Sequence, residues 1–161
     1  MRNSTLCYIE HDGKYLMLHR VKKVNDQNKD KWIGIGGGFE ENESPEDCIR
    51  REALEETGLV LGNVVLRSIV TFVIEGGECE HMFLFTCSDF TGELAECDEG
   101  VLEWIDKDAL YSLDLWEGDA IFLRKIENDF PFFTLKLVYA HDGTLIRAIE
   151  NGSRVIVSHE N

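Results

Sequence analysis

Three glutamates lie close together in the chain at spacings that could bind a metal ion. Glu52, Glu55 and Glu56 occupy positions i, i+3 and i+4. In an α-helix with 3.6 residues per turn, this spacing places all three carboxylates on one face. Like charges at these spacings repel one another and weaken a helix. A hard divalent cation such as Mg²⁺ or Mn²⁺ would offset the repulsion, because these ions prefer oxygen ligands. A solvated acidic helix is the simpler alternative for this spacing alone.

The residues around the glutamates predict a helix over 45–57. Ser44 is a favourable N-cap, Pro45 suits the first helical position, and Asp47 follows three residues after the cap. Gly58 is placed to end the helix in a left-handed conformation. The glutamates therefore fall in the second half of a helix that has its own start and stop signals.

Arg51 could hold the carboxylates of this helix in position. It lies four residues before Glu55 and could pair with it, or it could reach back to Glu43. The other face of the helix carries Ile49 and Ala53, which suits packing on a sheet. We therefore expect an apolar side facing a core and an acidic side facing a cleft.

A run of glycines precedes the helix. Gly36, Gly37 and Gly38 permit backbone angles that other residues rarely adopt, and they let a carbonyl or N–H group approach a ligand closely. Residues 31–39 are thus expected to be part strand and part glycine turn. No Gly-Lys-Ser/Thr follows, which argues against a Walker loop, and Phe39 stands at the third glycine position of a dinucleotide fingerprint.

The rest of the chain predicts strands mixed with a few helices. Asp-Gly pairs favour tight hairpins, and the apolar, β-branched segments favour strands. Strands are expected within 5–21, 63–74, 80–90 and 101–105, helices within 106–113 and 118–128, a second hairpin over 131–150, and a polar strand or tail over 151–161. With little βαβ alternation, this pattern predicts an α+β sandwich in a single domain over residues 1–161.

Composition limits the partners of the protein. The net charge of −15 disfavours duplex nucleic acid and anionic membranes, since both bind basic surfaces. We find no apolar run long enough for a membrane span and no signal-peptide pattern, so the expected location is the cytoplasm. The five cysteines contain no CxxC pair and are expected to be reduced.

Residues 37–59 resemble the signature box of the Nudix hydrolases. That box reads glycine, five residues, glutamate, seven residues, Arg-Glu, an aliphatic residue, one residue, Glu-Glu, one residue, glycine and an aliphatic residue. Ala53 is smaller than the usual aliphatic residue. The fixed positions of the box all match and are Gly37, Glu43, Arg51, Glu52, Glu55, Glu56, Gly58 and Leu59. The resemblance implies the Nudix fold, in which a mixed β-sheet lies between helices (α/β/α).

The resemblance also implies hydrolysis of a nucleoside diphosphate linked to another group. Glu52, Glu55 and Glu56 would bind Mg²⁺, or alternatively Mn²⁺, with the Gly37 carbonyl as a further ligand. One of the three glutamates would act as the base, and Glu52 and Glu55 are the catalytic candidates among them. Metals neutralise phosphate charge and activate water in such sites. The residues expected to support the helix structurally are Glu43, Arg51 and Gly58.

Two further residues are candidates for this site. Several MutT-like Nudix proteins carry a glutamate in a loop similar to "CDEGVLEW", which makes Glu99 a candidate for metal binding and catalysis. Asp98 is its competitor, and simple solvation of the loop is the alternative for both. Arg20, at the end of the second strand, could contact a phosphate or could be an ordinary surface arginine.

The stretch "LWEGDAIF" predicts a site for the base. The chain resembles MutT-type 8-oxo-dGTP diphosphatases of low-GC Gram-positive bacteria and animal oxidised-purine nucleoside triphosphatases over residues 5–139. By that resemblance Trp116 would stack on a purine and Asp119 would read its edge. Gly118 replaces the first of two family aspartates, and Ile33 replaces a family asparagine.

The resemblance therefore predicts a Mg²⁺-dependent enzyme that converts 8-oxo-dGTP to the monophosphate and pyrophosphate, serving nucleotide-pool sanitisation and DNA repair. Its partner would be a small-molecule nucleotide, and the protein would be a monomer or a homodimer. One alternative is another Nudix substrate, namely ADP-ribose, a dinucleotide or a nucleotide sugar. A second alternative is a non-catalytic nucleotide-binding module, which the complete glutamate set disfavours.

Overall fold

The computed structural model describes residues 1–159. The helices are α1 (Pro45–Thr57) and α2 (Glu117–Glu127), and a 3₁₀ helix spans Lys107–Ser112. The strands of this part of the chain are β1 (Arg2–His11), β2 (Lys14–His19), β3 (Trp32–Ile33), β4 (Ile35–Gly38), β5 (Val60–Leu61), β6 (Val65–Ile74), β7 (Cys79–Cys87), β8 (Phe90–Thr91), β9 (Val101–Asp106), β10 (Phe133–Tyr139), β11 (Leu145–Glu150) and β12 (Arg154–Ser158).

Ten strands form one mixed sheet. Its order is β12-β11-β10-β6-β7-β1-β2-β3, with β4 paired to β1 and β9 paired to β2. β1 runs parallel to β7, and β10 runs parallel to β6. The hairpins β1–β2 and β10–β11 are antiparallel, as their Asp-Gly turns predict. Strands β5 and β8 pair separately. The α+β class and the mixed sheet are confirmed.

Strand β1 contributes side chains to two hydrophobic cores. Leu6 packs in a core that also contains Phe122 of α2. Cys7, the next residue, packs in a second core with Ile49 of α1. Because successive side chains of a strand point to opposite faces, the two helices cover opposite faces of the sheet. This arrangement is the predicted α/β/α sandwich.

Helix α1 has the bounds and caps that the sequence predicts. The Ser44 hydroxyl accepts a hydrogen bond from the Asp47 backbone N–H at 3.0 Å, and the Asp47 carboxylate accepts one from the Ser44 N–H at 3.0 Å. Gly58 adopts φ +80° and donates its N–H to the Leu54 carbonyl. These caps fix where the helix begins and ends, and therefore which way its acidic face points.

Two predicted elements differ in detail. The helix expected within 106–113 is a single 3₁₀ segment without a side-chain cap, because six residues are too few for a stable α-helix. The expected strand or tail at the end of the chain contains β12, and residues 160–161 lie outside the described range. Among residues 1–159, neither helix has the length and apolar character needed to cross a bilayer.

The glycine run forms a strand, so the expected glycine turn is wrong. Gly36, Gly37 and Gly38 belong to β4 and pair with β1, and none of the three has a positive φ. Their small size is needed for another reason. A Cβ atom on Gly36 would overlap the backbone of Thr5. The run therefore allows β4 to lie very close to β1, rather than allowing an unusual turn.

We expect Gly36→Ala to destabilise the fold by about 2–3 kcal/mol, because the added methyl group forces β4 away from β1. Urea denaturation would measure the loss. Gly77→Ala is the matched control, since a Cβ there makes only ordinary contacts of 3.4 Å or more. Equal stability of the two variants would contradict the close-approach explanation.

Candidate active site

One cleft of about 740 Å³ collects most of the residues that the sequence predicts to act on a substrate. It is bounded by β1, β4, α1, the start of α2 and the turn between β10 and β11. Glu55 does not line it. The predicted residues that do are Arg20, Gly37, Glu52, Glu56, Glu99, Trp116 and Asp119.

Three carboxylates face one end of the cleft. Glu52 and Glu56 come from α1, and Glu99 comes from the loop before β9. The Oε2 atom of Glu56 is buried and has no hydrogen-bond partner among the described residues. Burial, together with the negative charges of Glu99 and Glu52, raises the pKa of Glu56 to about 8. A hydrogen bond from the Gly36 backbone and the charge of Arg20 only partly oppose this rise, so a cation or a proton would stabilise the Glu56 carboxylate.

This donor set suits a hard divalent cation. It consists of oxygen atoms only, which are the ligands that Mg²⁺ and Mn²⁺ prefer. The buried Glu56 oxygen has no partner among the described residues, and a cation could be that partner. Within residues 1–159, no three His, Cys, Asp or Glu side chains are already arranged around one point as metal ligands. Binding would therefore require Glu52, Glu56 and Glu99 to adjust their side chains.

Gly37 lies directly beside these carboxylates. A Cβ atom at this position would lie 2.6 Å from the Glu52 carboxylate, so a larger residue would displace that group. Two side chains donate long hydrogen bonds to the Gly37 carbonyl, the Thr5 hydroxyl at 3.4 Å and the Cys48 thiol at 3.6 Å. The predicted ligand role of this carbonyl is compatible with its position on the cleft wall.

Arg51 organises the acidic face of α1. Its guanidinium donates to both Glu43 oxygens at 2.7 and 2.9 Å and to the Gly38 carbonyl at 3.0 Å. It also donates to Glu52 at 2.9 Å and to Glu55 at 3.2 Å. The hydrogen bonds from Arg51 hold the pKa of Glu43 below its ordinary value. Both pairings that the sequence suggested for Arg51 are present, and Arg51 links the helix to β4.

Glu55 occupies a different environment from its neighbours. Its side chain is 59% exposed and pairs with Arg51. Of the three box glutamates predicted to bind metal, the structure thus brings Glu52 and Glu56 to the cleft and leaves Glu55 on the outer side of the helix. Its predicted catalytic and metal-binding roles remain predictions that require a change of rotamer.

We expect Arg51→Gln to lower the melting temperature by about 2–4 °C, the shift for a loss of about 1 kcal/mol in a chain of this size. The variant leaves Glu43 and Glu52 without their common cation, so hydrolysis should also fall. Calorimetry and turnover would measure both effects. Arg50→Gln is the control, because Arg50 donates only to the exposed Gly62 carbonyl. An Arg51 variant as stable and active as the Arg50 variant would contradict this role.

Arg20 is held between two acids. It donates from Nε and one terminal nitrogen to Asp26 at 2.7 and 3.0 Å, and from the other terminal nitrogen to Glu99 at 3.0 Å. A guanidinium has five N–H groups, so two remain for the predicted phosphate contact. Asp98, the competitor of Glu99, is exposed and does not line the cleft.

Trp116 lies toward the other end of the cleft, immediately before α2. Its indole N–H donates to the Asn28 side-chain oxygen at 2.8 Å. Its ring packs edge-on against Tyr139, with centroids 5.6 Å apart, and the Lys31 ammonium lies 5.0 Å from its centroid. The indole is thus held by neighbours from the loop between β2 and β3 and from β10.

Asp119 is a buried acid without a hydrogen-bond donor. The residue is 5% exposed, and no described side chain or backbone group donates to its carboxyl group. Desolvation raises its pKa to about 7, and the positive charge of Lys31 only partly opposes this shift. Because Asp119 lines the cleft, its carboxyl group is available to a ligand in either the neutral or the charged form.

Of the two departures from the family pattern, Ile33 lines the cleft and Gly118 is buried beside it. Gly118 donates its N–H to the Tyr139 hydroxyl at 2.9 Å. A Cβ at Gly118 would lie 2.4 Å from a Leu137 methyl group and 2.6 Å from that hydroxyl, so a larger residue would require both side chains to move. Ile33 also lines the cleft and offers no hydrogen bond. The end of the cleft at Trp116 therefore has fewer polar groups than the resemblance implies.

The cleft is acidic overall. Among the described residues that line it, the cations are Arg2 and Arg20. Arg2 pairs with Glu80 at 3.2 Å, and Arg20 pairs with Asp26 and Glu99. These cations are therefore balanced by acids before any ligand arrives. An anionic substrate would need added cations to enter, which agrees with the oxygen-rich donor set.

Sequence reasoning missed several residues of the cleft. Asp26 and Asn28 belong to a segment that the sequence predicts only as a polar loop, and its composition gives no signal of their partners. Tyr139 and Ser4 are hidden within ordinary strand patterns. Ser4 is 5% exposed, lines the cleft, and its hydroxyl has no partner among the described residues. Only the three-dimensional arrangement of the strands brings these side chains to the site.

Comparison with known proteins identifies the family of this chain. The model of the NUDIX domain matches residues 1–126. A Nudix hydrolase of Bacillus subtilis, YvcI, is 32% identical over 126 residues, which are 74% of this chain and 75% of that protein. The oxidized purine nucleoside triphosphate hydrolase of Danio rerio is 32% identical over 118 residues, covering 73% of this chain and 74% of its own.

Relatives with lower identity are named for a different substrate, GDP-mannose. The GDP-mannose pyrophosphatase of Yersinia enterocolitica is 29% identical over 99 residues, covering 60% of this chain and 51% of its own. Among solved structures, a MutT protein of Bacillus halodurans superposes with a TM-score of 0.85 at 25% identity, covering 96% of this chain and all of that one. The relatives agree on the fold and the reaction family, and they differ in substrate.

Proposed function

Because this chain belongs to the NUDIX domain family and is a Nudix hydrolase, we propose that it is a Mg²⁺-dependent nucleoside triphosphate pyrophosphohydrolase. Its substrate in this proposal is 8-oxo-dGTP or a related oxidised purine triphosphate. The products are the monophosphate and pyrophosphate. The enzyme acts in the cytoplasm, as a monomer or homodimer, and removes damaged nucleotides before they reach DNA.

One observation supports this proposal above all. The same cleft joins a cluster of carboxylates, one with an orphaned buried oxygen, to a fixed indole and a buried acid. The first end suits cations that accompany a triphosphate. The second end suits a flat heterocycle that is stacked on one face and hydrogen-bonded at one edge. A purine nucleoside triphosphate carries these two features at its two ends.

At the phosphate end, Glu52, Glu56, Glu99 and the Gly37 carbonyl would hold the cation. When bound, Mg²⁺ neutralises phosphate charge and favours attack by water on a phosphorus atom. Arg51 holds Glu52 in place through a 2.9 Å hydrogen bond. Glu55 is a candidate base or ligand if its side chain turns toward the cleft. Manganese could replace magnesium, because the donors are all oxygen.

At the base end, Trp116 stacks on the purine and Asp119 reads its edge. A carboxyl group with a pKa of about 7 is partly protonated near neutral pH, so it can donate or accept a hydrogen bond. An oxidised guanine presents a donor at N7 beside the O6 acceptor; the neutral acid can pair with both, and the carboxylate can accept from the N7 donor. An unmodified guanine presents two acceptors there; the neutral acid can donate to one of them, and the carboxylate to neither.

A nucleotide sugar is the second candidate substrate. Glu78, Glu80, His141 and Asp142 line the outer rim of the cleft. Carboxylates and imidazoles accept hydrogen bonds from sugar hydroxyls. The GDP-mannose pyrophosphatases among the relatives make this alternative worth testing beside the first.

The test is a product assay with purified protein and Mg²⁺. The substrates are 8-oxo-dGTP, dGTP, ATP, ADP-ribose and GDP-mannose, each incubated separately. Monophosphate and pyrophosphate, formed much faster from 8-oxo-dGTP than from dGTP, would support the proposal. Faster turnover of GDP-mannose or ADP-ribose would assign the cleft to a diphosphate-linked sugar. Equal rates with 8-oxo-dGTP and dGTP would argue against the proposed role of Asp119.

A further inference from the structure

The loop between β2 and β3 contacts both ends of the cleft. It spans residues 20–31, and three consecutive residues in it, Asp26, Gln27 and Asn28, line the cleft. Asp26 points to the carboxylate end and Asn28 to the tryptophan end. Residues 26–28 therefore contact Arg20, at the start of the loop, and Trp116, before α2, and Arg20 in turn contacts Glu99, before β9.

Asp26 acts on Glu99 through Arg20. The Asp26 side chain is 6% exposed and accepts two hydrogen bonds from the Arg20 guanidinium, at 2.7 and 3.0 Å. That guanidinium is 14% exposed and donates in turn to Glu99 at 3.0 Å. A bidentate pair fixes the plane of an arginine, so the position of Glu99 depends on Asp26. Lys23, at 3.5 Å and 56% exposed, is a weaker second partner of Glu99.

Asn28 acts on Trp116 directly. Its side-chain oxygen accepts the indole N–H at 2.8 Å. Asn28 is itself oriented by Asp26, whose Oδ1 accepts the Asn28 backbone N–H at 3.0 Å. Asp26 therefore supports both the arginine that holds Glu99 and the backbone of the residue that holds Trp116.

We propose that Asp26 and Asn28 are positioning residues that set the two ends of the site from one loop, Asp26 fixing Glu99 through Arg20 and Asn28 fixing Trp116. The roles of Glu99 and Trp116 rest on the proposed function. The positioning itself does not depend on which nucleotide is the substrate. Supporting partners of metal-binding side chains commonly change metal affinity by 10–100-fold when they are removed.

The test compares Asp26→Asn and Asn28→Ala in the full chain. Asp26→Asn should weaken Mn²⁺ binding, measured by electron paramagnetic resonance without nucleotide, by about tenfold. Asp26→Glu, which retains the charge, should restore part of that affinity. Asp30→Asn is the matched control, because Asp30 is a 65% exposed acid of the same loop, 3.7 Å from Lys29. Equal Mn²⁺ affinity of the Asp26 and Asp30 variants would overturn the role of Asp26.

Asn28→Ala should leave Mn²⁺ affinity unchanged and should move the indole N–H resonance of Trp116 in a ¹⁵N spectrum. With the substrate found in the product assay, it should raise KM about fivefold, the effect of one hydrogen bond, with little change in kcat. Asn25→Ala, at an exposed position of the same loop, is the control. An unmoved Trp116 resonance would overturn the role of Asn28. Both primary measurements are made without turnover, so they remain valid if the product assay assigns a different substrate.

Discussion

Glu56→Gln is expected to lower kcat by about 10³-fold or more, which corresponds to about 4 kcal/mol of transition-state stabilisation. The Glu56 carboxylate is the buried member of the acidic cluster, and its Oε2 has no partner among the described residues. A neutral amide of the same shape cannot supply the charge that a divalent cation requires. The same change should be mild for the metal-free fold. Because the pKa of Glu56 is raised to about 8 by burial and by Glu99 and Glu52, the acid is mostly neutral at pH 7.

Stability measurements with and without metal distinguish this role from simple damage to the fold. In EDTA at pH 7 the variant and the wild type should melt at similar temperatures, whereas Mn²⁺ should raise the melting temperature of the wild type only. Glu46→Gln, in the first turn of the same helix and away from the cleft, is the control. Full activity of the Glu56 variant, or an equal Mn²⁺ effect on both proteins, would remove Glu56 from the metal site.

The sequence predicts the local parts of this site well. Helix α1, its capping box and its glycine stop have the predicted bounds because each depends on residues within a few positions of one another. The pairing of Arg51 with Glu43 and Glu55 follows from the same short-range geometry. The resemblance to the Nudix box extends this local information to the chemistry of the family.

The remaining parts depend on contacts between distant segments. Helical spacing places Glu52, Glu55 and Glu56 on one face, but it cannot tell which of them the sheet covers. Packing against β4 buries Glu56, while Glu55 remains 59% exposed. The bond from Arg20 to Glu99 joins residues 79 positions apart, and the bond from Trp116 to Asn28 joins residues 88 apart. No local pattern encodes such pairs.

The glycine run illustrates how one residue type can serve different physical needs. Glycine is expected where φ is positive, and Gly58 and Gly13 do have that conformation. Gly36 and Gly37 instead lie in an extended strand, where the missing side chain leaves room for the Thr5 backbone and the Glu52 carboxylate. Both requirements select glycine, so the sequence alone does not distinguish them. Only the packing of β4 between β1 and α1 distinguishes them.

Asp119→Asn is expected to stabilise the protein above pH 7, by up to about 4 kcal/mol if Asp119 titrates at about 7 in the fold and at 3.8 when unfolded. Between these values the folded state binds a proton that the unfolded state has lost. The free energy of unfolding of the wild type therefore falls as pH rises through this interval. The amide cannot ionise, so the free energy of unfolding of the variant does not fall for this reason as pH rises. At pH 4 or below the two proteins should be nearly equally stable.

Urea denaturation in EDTA between pH 4 and pH 9 would measure the difference between the two proteins, because titration of other groups affects both alike. Asp108→Asn makes the same change of charge at an exposed position and is the matched control. If Asp119 also reads a purine edge, the stabilised variant should bind the substrate more weakly, since an amide cannot exchange donor for acceptor at one oxygen. A stability difference that is constant across this pH range would show that Asp119 is already charged in the fold, and the cleft would then require a cationic rather than a neutral group at this position.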